Sequence, residues 1–515
     1  MHGSAPLRLF LALSAALLCL RTAEATGFNE VVTTNGVVSG HIAPDRKNTV
    51  EYLGIPYAQP PVGKLRFAPP QPIVKKLDYN ASKWGFDCPQ SVSGNASYPG
   101  LTPQAQGIIN AFAGGGGNQQ SEDCLTLNIW APSHTEKKRP VLVFFHGGRF
   151  SIGNSNSKFY DGSRFAEATS AIIITLTYRL NVFGFPGAPD SSQNLGLRDQ
   201  RLAVQWIHDN IAGFGGDPSK IAVFGQSSGG VAVDWWTFAY QQEPLIAGII
   251  SESGNALSFP LNTAERQKQN WYNVSTTLGC GSSGDTLECV RGKDWKDLLA
   301  AAGRLPAAPG GNPVRSTSAF YPMIDNETVF SDYRPLLEHG KFAKIPQLLG
   351  NNNNEQGYYV IPAFGKGVNA TKEQGDQFLL ESFTCPNDIE ARARSAQGVP
   401  TWQYRYFGDW PNTRLYNSSG AYHGTELEML FGNSGDVSGI APSEAQEELT
   451  KVMQDAWVAF AEDPKRGLEK YGWPRFDPSE DTLVRLGYEN SPVPDFVRPS
   501  LYSGDCANIT VGADG

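Results

Sequence analysis

The chain has 515 residues, 40% of them hydrophobic and 18% charged, and is therefore long enough to bury a large core without help from disulfides. Its formal net charge of −9 argues against nucleic acid or an anionic membrane surface as a partner, because both bind clustered Lys and Arg. No set of His and Cys residues has the spacing of metal ligands, so neither a metal nor an organic cofactor is expected.

Residues 1–25 have the features of a secretory signal peptide. Arg8 precedes an apolar run at 9–20, and Ala23-Glu24-Ala25 offers a small-x-small cleavage site. The run is too short to span a bilayer, and no later run is long and apolar enough to be an integral membrane segment. We therefore expect a secreted protein in which residues 26–515 form a single domain. The alternative for the apolar run is a buried N-terminal helix.

The cysteines and glycosylation sequons agree with secretion. Cys19 would leave with the signal peptide, and the six remaining cysteines suggest three disulfides. Proximity along the chain favours Cys280–Cys289, with Cys88–Cys124 as a second candidate, although six cysteines allow many pairings. The chain also contains seven Asn-x-Ser/Thr sequons, which predict a glycosylated surface. These asparagines are Asn80, Asn95, Asn273, Asn326, Asn369, Asn417 and Asn508.

The apolar pattern changes along the chain. Residues 35–70 alternate short apolar segments with turns, which predicts an N-terminal antiparallel sheet. From residue 121 onwards, near-continuous apolar runs alternate with helical patterns such as 199–211. The apolar runs are 141–145, 171–175, 221–224 and 246–250. Buried strands that alternate with helices predict an α/β fold with a mostly parallel sheet, in which chemistry lies beyond the carboxyl ends of the strands.

A serine lies between one of these strands and a predicted helix. The sequence Gly225-Gln226-Ser227-Ser228-Gly229 joins the run at 221–224 to a second apolar run at 231–240. In a strand–turn–helix context this G-x-S-x-G pattern places a nucleophilic serine at the apex, and the two glycines allow the sharp turn. We therefore expect Ser227 to be a nucleophile at a helix N-terminus, where developing negative charge is favoured. The alternative is an ordinary Gly-Ser loop.

A glycine pair follows the strand at 141–145. In His146-Gly147-Gly148-Arg149-Phe150, backbone N–H groups are free to point at a ligand oxygen. We expect an oxyanion hole formed by the N–H groups of Gly148 and Arg149, completed by that of Ser228, the residue after the nucleophile. The alternative is a tight strand-to-loop turn.

The order serine, acid, histidine that accompanies this serine motif limits the choice of base and acid. Only His339 and His423 follow Ser227. His339 precedes a glycine, as at a helix C-terminus, and is expected to be structural, whereas His423 follows a strand-like segment and a loop. Glu355 lies in the loop beyond a short strand at 344–349 and is the best-placed acid, although many other acids lie in the same interval.

Six blocks, in this order, resemble the type-B carboxylesterase/lipase family, which includes cholinesterases and Candida-type lipases. The blocks are GIPYA at 54–58, LRF at 65–67, SEDCLTLN at 121–128, NLGLRDQ at 194–200, NIAGFGGDP at 210–218 and HGTELEMLFG at 423–432. The resemblance extends from about residue 29 to residue 506. It implies an α/β-hydrolase fold, with a large, mostly parallel sheet flanked by helices, and hydrolysis of carboxylic esters of small molecules or lipids.

The same resemblance implies roles for individual residues. It makes Ser227 the nucleophile, His423 the base and Glu355 the acid of the triad, with Ser253 as a supporting serine nearby. It also implies the disulfides Cys88–Cys124 and Cys280–Cys289, which leaves Cys385 to pair with Cys506.

The chain departs from the family pattern at three places. Arg149 replaces a glycine, and its side chain would either select anionic or polar substrates or point outward into a salt bridge. Gln226, beside the nucleophile, replaces a glutamate, and the 88–124 segment lacks the tryptophan that stacks on choline. The last two departures argue against a cholinesterase.

We thus expect a secreted serine esterase that forms an acyl-enzyme. Two alternatives remain: a triacylglycerol lipase and a non-catalytic adhesion-type relative. In the lipase, residues 106–112, with Ile108, Ile109 and Phe112 on one helix face, would form a lid; a poorly ordered surface loop is the other interpretation of this segment. The retained Ser, Glu and His argue against the adhesion-type relative. The sequence does not indicate the oligomeric state.

Overall fold

The computed structural model describes residues 29–512, with gaps at 92–93, 116, 134–137, 190, 307–311 and 316. The expected signal peptide lies outside the described residues. The strands are β1 Glu30–Thr33, β2 Gly36–Ser39, β3 His41–Ile42, β4 Thr49–Pro56, β5 Tyr79–Asn80, β6 Thr126–Pro132, β7 Arg139–Phe145, β8 Ile172–Leu176, β9 Gly216–Gln226, β10 Gly248–Glu252, β11 Gln347–Asn352, β12 Thr401–Tyr406, β13 Leu483–Leu486 and β14 Asp495–Val497.

Helices connect and cover these strands. They are α1 Ala105–Phe112, α2 Ser163–Thr169, α3 Asn181–Gly184, α4 Leu195–Asn210, α5 Ser228–Ala239, α6 Ala264–Thr277, α7 Leu287–Arg291, α8 Trp295–Gly303, α9 Arg334–Glu338, α10 Gln356–Gly365, α11 Lys372–Leu379, α12 Cys385–Ala396, α13 Thr425–Leu430, α14 Ser434–Ser438, α15 Glu444–Glu462, α16 Gly467–Tyr471 and α17 Ser500–Ser503. None of the helices in the described ranges is both long and apolar enough to cross a bilayer.

A large mixed sheet forms the centre of the protein. Its eleven strands in the described residues have the order β14-β13-β12-β11-β10-β9-β7-β8-β6-β4-β3. The seven strands from β13 to β8 run parallel, and the strands beyond them at either end pair antiparallel. This sheet, flanked by helices, confirms the α/β-hydrolase fold expected from the sequence.

The apolar runs are continuous because the sheet is buried on both faces. Along β7, Val141, Val143 and Phe145 enter one hydrophobic core, whereas Leu142 and Phe144 enter the other. Successive side chains of a strand point to opposite faces, so a strand with a core on each side has no polar position.

The N-terminal region differs from the expected antiparallel sheet over 35–70. The small sheet has the order β1-β2-β5, and its β2–β5 pair is parallel. Strand β4 leaves this region and pairs antiparallel with β6 in the large sheet. The reason lies in the burial of β4, whose residues are buried from Thr49 to Ile55 and need neighbours on both faces. A sequence in which short apolar segments alternate with turns does not show whether β4 pairs within the small sheet or with β6 of the large sheet.

Three disulfides join Cys88 to Cys124, Cys280 to Cys289 and Cys385 to Cys506. These are the pairs that the resemblance implies. The first closes the segment that carries α1, and the last ties the start of α12 to the C-terminal segment of the chain.

Glycine at position 229 is required by close packing between α5 and β7. A methyl group on Gly229 would collide with the carbonyl oxygen of Phe145, whereas one on Gly365, also helical, would meet open space. We expect Gly229→Ala to lower the free energy of unfolding by about 1–3 kcal/mol through overpacking. Gly365→Ala, the matched control, should leave it unchanged or raise it by up to ~1 kcal/mol. Urea unfolding compares the two, and equal stabilities would contradict this packing argument.

Candidate active site

Strand β9 and helix α5 present Ser227 at a sharp turn. Ser227 has φ 59° and ψ −125°, an unusual conformation for a residue with a side chain. Its N–H donates to the carbonyl of Glu252 at 2.8 Å, which fixes the turn against β10. A methyl group on Gly225 would come within 2.5 Å of the carbonyl oxygen of Gly229. Glycines on both sides therefore let the chain turn this tightly, as the sequence motif predicts.

Glu355 and His423 form a buried hydrogen-bonded pair beside this turn. His423 Nδ1 lies 2.6 Å from Glu355 Oε2, and both residues are buried. The other carboxylate oxygen, Oε1, accepts the Ser253 hydroxyl at 2.7 Å and the Asn352 N–H at 2.6 Å. A carboxylate held in this way fixes the orientation of the imidazole and favours a proton on its Nδ1. The structure thus places the hydroxyl of Ser253 against the carboxylate of Glu355.

The remaining nitrogen of His423 contacts a residue that the sequence analysis does not identify. Within the described residues, Ser227 Oγ makes no direct hydrogen bond to His423. The hydroxyl of Tyr359 lies 3.0 Å from His423 Nε2. Burial, reinforced by the charge of Glu355, raises the pKa of Tyr359, so its hydroxyl stays protonated at every physiological pH.

The loop after β7 packs tightly against Ser227. A methyl group on Gly147 would come within 2.9 Å of Ser227 Cβ, so only a glycine allows this approach. Gly148, Arg149 and Phe150 all have positive φ angles. The N–H of Phe150 donates to the hydroxyl of Ser228 at 3.3 Å, which ties the loop to the start of α5. The three candidate oxyanion-hole residues, Gly148, Arg149 and Ser228, line the cavities that Ser227 also lines.

Two cavities meet at Ser227. The larger encloses about 660 Å³ of empty space including its mouth, and its walls are mainly apolar, with Trp235, Phe259 and Phe378 among them. The smaller, of about 450 Å³, is lined by Phe112 and His423 among other residues. An ester placed at Ser227 can thus direct its two substituents into separate spaces.

The segment considered as a lid forms helix α1, docked on the body of the protein. Ile108 is buried, and the ring of Phe112 packs against Phe159 and Tyr358 with centroid distances of 5.2 Å each. The Tyr160 hydroxyl donates to the carbonyl of Phe112 at 3.1 Å. The segment is therefore neither an extended surface loop nor detached from the cavity, of which Phe112 forms a wall.

The side chain of Arg149 lies at the junction of several cavities. It lines both spaces that contain Ser227 and a third, adjoining space of about 990 Å³ that Lys366 also lines. Burial, together with the positive charge of Arg149, lowers the pKa of Lys366. Two cations therefore lie near each other at the edge of the site.

Buried polar groups lie near Ser227 and the Glu355–His423 pair. Gln226 is fully buried, and within the described residues neither polar atom of its side chain has a hydrogen-bond partner. Burial and the charge of Glu355 raise the pKa of Glu426 to about 8, and burial and the charge of Glu426 raise that of Glu252 well above its usual range. Neutral Gln226 therefore adds no charge to a region that already holds several acids.

The second histidine considered as a base lies elsewhere. His339 follows the end of α9, is exposed, and its Nδ1 lies 2.7 Å from the carbonyl oxygen of Pro335. This is the helix C-terminal position expected from the sequence. Tyr359, by contrast, was not expected. The available signal was its spacing: it lies four residues after Glu355, one turn along α10 on the same side as the acid.

The fold and this constellation define an α/β-hydrolase. The profile of the carboxylesterase family matches residues 28–382 and 369–503, so the chain belongs to the carboxylesterase family and is a carboxylic ester hydrolase.

Individual relatives resemble the chain over most of its length. Secreted lipase 5 of Gibberella zeae is 34% identical over 507 residues, covering 91% of this chain and 92% of the relative. Chlorogenic acid esterase of Aspergillus niger is 32% identical, covering 88% and 89%. Para-nitrobenzyl esterase of Bacillus subtilis is 30% identical, covering 90% and 97%.

The buried acids give the stability of the protein a dependence on pH. Burial raises the pKa of Glu428 to about 8, from an ordinary value of 4.5, and the nearby Tyr422 hydroxyl opposes the shift. The folded state thus holds a proton that the unfolded state releases. The resulting stabilisation is complete below pH 4.5 and is lost as the pH rises towards 8.

We expect Glu428→Gln, which cannot ionise, to flatten the decline in unfolding free energy across this range. The exposed Glu448→Gln serves as the control and should keep the wild-type slope. Urea unfolding at a series of pH values measures both. If the unfolding free energies of wild type and Glu428→Gln changed with pH in parallel, the protein would not bury a protonated carboxyl at position 428.

Proposed function

We propose that the protein is a secreted serine esterase that works through an acyl-enzyme. The hydroxyl of Ser227 attacks the ester carbonyl, His423 receives its proton, and Glu355 stabilises the imidazolium that forms. The observation that carries this proposal is the 2.6 Å contact between His423 Nδ1 and a fully buried Glu355, directly beside the strained serine turn. Water activated by His423 then hydrolyses the acyl-enzyme.

The N–H groups of Gly148, Arg149 and Ser228 hold the oxyanion of the tetrahedral intermediate in this proposal. The packing of the glycine loop against Ser227 supports it, as does the position of Ser228 at the first residue of α5. The positive end of that helix dipole favours the developing negative charge. Each preorganised donor of this kind raises the reaction rate by a factor on the order of 10²–10³.

Secretion belongs to the same proposal, with residues 1–25 as the signal peptide and 26–515 as one domain. Three disulfides support an oxidising compartment. The asparagines of all seven sequons are exposed, and one similar fungal protein carries the name secreted lipase. These asparagines are therefore accessible to the glycosylation machinery of the secretory route.

A triacylglycerol lipase is the second candidate within the same chemistry. One observation favours it: Phe112 of α1 forms a wall of the cavity at Ser227, so movement of α1 would widen the site. Activity that rises sharply once a long-chain triacylglycerol exceeds its solubility supports the lipase. Activity that saturates on a soluble short-chain ester supports the esterase, which the docked position of α1 favours.

Replacement of the nucleophile tests the proposed mechanism. We expect Ser227→Ala to reduce hydrolysis of a short p-nitrophenyl ester by at least ~10³-fold, because alanine has no hydroxyl that could attack the ester carbonyl. Glu355→Gln should also lose most activity, since the imidazole loses its orienting carboxylate. Initial rates on purified, folded variants measure both. Substantial turnover by Ser227→Ala would reject the assignment of the nucleophile.

The position of the Arg149 side chain predicts a preference among ester substrates. Because its side chain lines both cavities at Ser227, its positive charge favours esters that carry a carboxylate. Arg149→Gly keeps the backbone N–H and suits the positive φ of 58°. We expect it to lower kcat/KM for an anionic ester roughly 10-fold, through about 1.4 kcal/mol of lost attraction. The kcat/KM for the same ester with a carboxamide in place of the carboxylate should stay unchanged. An equal change for both substrates would argue that Arg149 acts only on the loop.

A further inference from the structure

Asn352 is the last residue of β11 and lies in a run of four asparagines at 351–354, directly before Glu355. It is fully buried, and its backbone N–H donates to Glu355 Oε1 at 2.6 Å. This contact with the acid uses only the backbone of Asn352. Its side-chain amide is therefore available for other partners.

The side-chain amide of Asn352 binds the chain on both sides of His423. Its Nδ2 group donates at 2.6 Å to the carbonyl oxygen of Tyr422, the residue before His423. The same group donates to the carboxyl of Glu426, in the first turn of α13, three residues after His423. A primary amide has two N–H donors, so both are used. One residue thus holds the acid through its backbone and the segment of the base through its side chain.

Asn354 forms a second link between the same two segments. Its backbone N–H donates to the carbonyl of Ala421 at 3.0 Å, and its side-chain Nδ2 donates to the carbonyl of Ser419 at 2.6 Å. Asn353, between the two, is exposed, and its Oδ1 accepts from Arg405 Nε at 3.0 Å. Two of these three side chains therefore bind the segment that carries His423, and the third binds β12.

We propose that Asn352 is a positioning residue that sets the distance between Glu355 and His423, with Asn354 in a supporting role, an inference that rests on the proposed function. The acid and the base belong to different segments, and a hydrogen bond of 2.6 Å between them tolerates little relative movement. The backbone bond from the His423 N–H to the Glu355 carbonyl is 3.4 Å long and fixes the spacing only weakly. Asn352 supplies the missing constraint, and it acts through the pair rather than on the reacting atoms.

Burial makes this constraint strong. The Tyr422 and Glu426 partners of Asn352 are buried, so water does not replace the amide if it is removed. A buried polar group that loses its partner is costly, and the segment with His423 would move to satisfy it. A displacement of about 1 Å in such a site costs on the order of 10²-fold in rate.

Asn352→Ala tests the proposal, because it removes both amide donors and keeps the backbone N–H that binds Glu355. We expect kcat for a short p-nitrophenyl ester to fall roughly 10- to 100-fold while KM changes little, since the cavities at Ser227 keep their walls. Initial rates over a range of ester concentrations separate kcat from KM.

Proton NMR observes the pair itself, without an ester. A proton in a short bond to a carboxylate is strongly deshielded, so the proton between His423 Nδ1 and Glu355 Oε2 should give a far-downfield resonance in the wild type. In Asn352→Ala we expect this resonance to shift upfield or to broaden. A side chain with a merely structural role would leave it in place.

Asn354→Ala is the second variant, since half-buried Asn354 is replaced with less risk to folding than Asn352. It should change kcat and the resonance in the same direction, by less. Asn353→Ala is the matched control: it makes the same chemical change in the same turn and should keep the wild-type kcat and resonance. Thermal unfolding shows whether each variant is folded, and Asn354→Ala decides the question if Asn352→Ala is not.

The possible outcomes separate the positioning role from the proposed function. Wild-type kcat and an unchanged resonance in the folded variants at 352 and 354 overturn the positioning role and leave the esterase proposal intact. Equal losses in all three variants, the control included, overturn it too, because the effect would belong to the turn as a whole. A wild-type protein that shows the resonance but hydrolyses no ester would instead overturn the proposed function.

Discussion

The backbone conformation of Ser227 is the constraint on which the site depends. A left-handed φ at a residue with a side chain is costly, and here it is maintained by contacts on both sides of the turn. Gly225 and Gly229 approach each other and β7 so closely that neither position has room for a side chain. The strand, the turn and the helix consequently form one rigid unit, and the hydroxyl faces the cavities rather than the core.

The groups around this serine come from separate parts of the chain that meet at one edge of the sheet. Parallel strands β7, β9, β10 and β11 end at this edge, and the glycine loop, Ser227, Ser253 and Glu355 follow them in that order. The topology therefore explains why residues far apart in sequence converge without any local motif that joins them. It also explains why the acid is fully buried, since it lies at the start of a helix packed over the strand ends.

The sequence was sufficient to predict the parallel core, because it depends on local patterns, and it named Ser227, Glu355 and His423 as candidate residues before the structure placed them near each other. Continuous apolar runs identify buried strands, and the serine motif identifies the turn. The partner of β4 was not predictable, since it depends on which sheet offers an uncovered edge. Tyr359 was missed for a similar reason: its spacing of four residues from Glu355 places it on the side of the acid, but its contact is with His423, 64 residues later, which that spacing does not identify.

The central claim is that Ser227 is a nucleophile activated by the His423–Glu355 pair. Reaction with a fluorophosphonate, followed by mass spectrometry of the proteolytic peptides, tests it most directly. Our account predicts one covalent adduct per chain, on the peptide that contains Ser227, and no adduct when His423 is replaced by alanine. An adduct on a different residue, or ester hydrolysis that continues with Ser227 unmodified, would contradict the account.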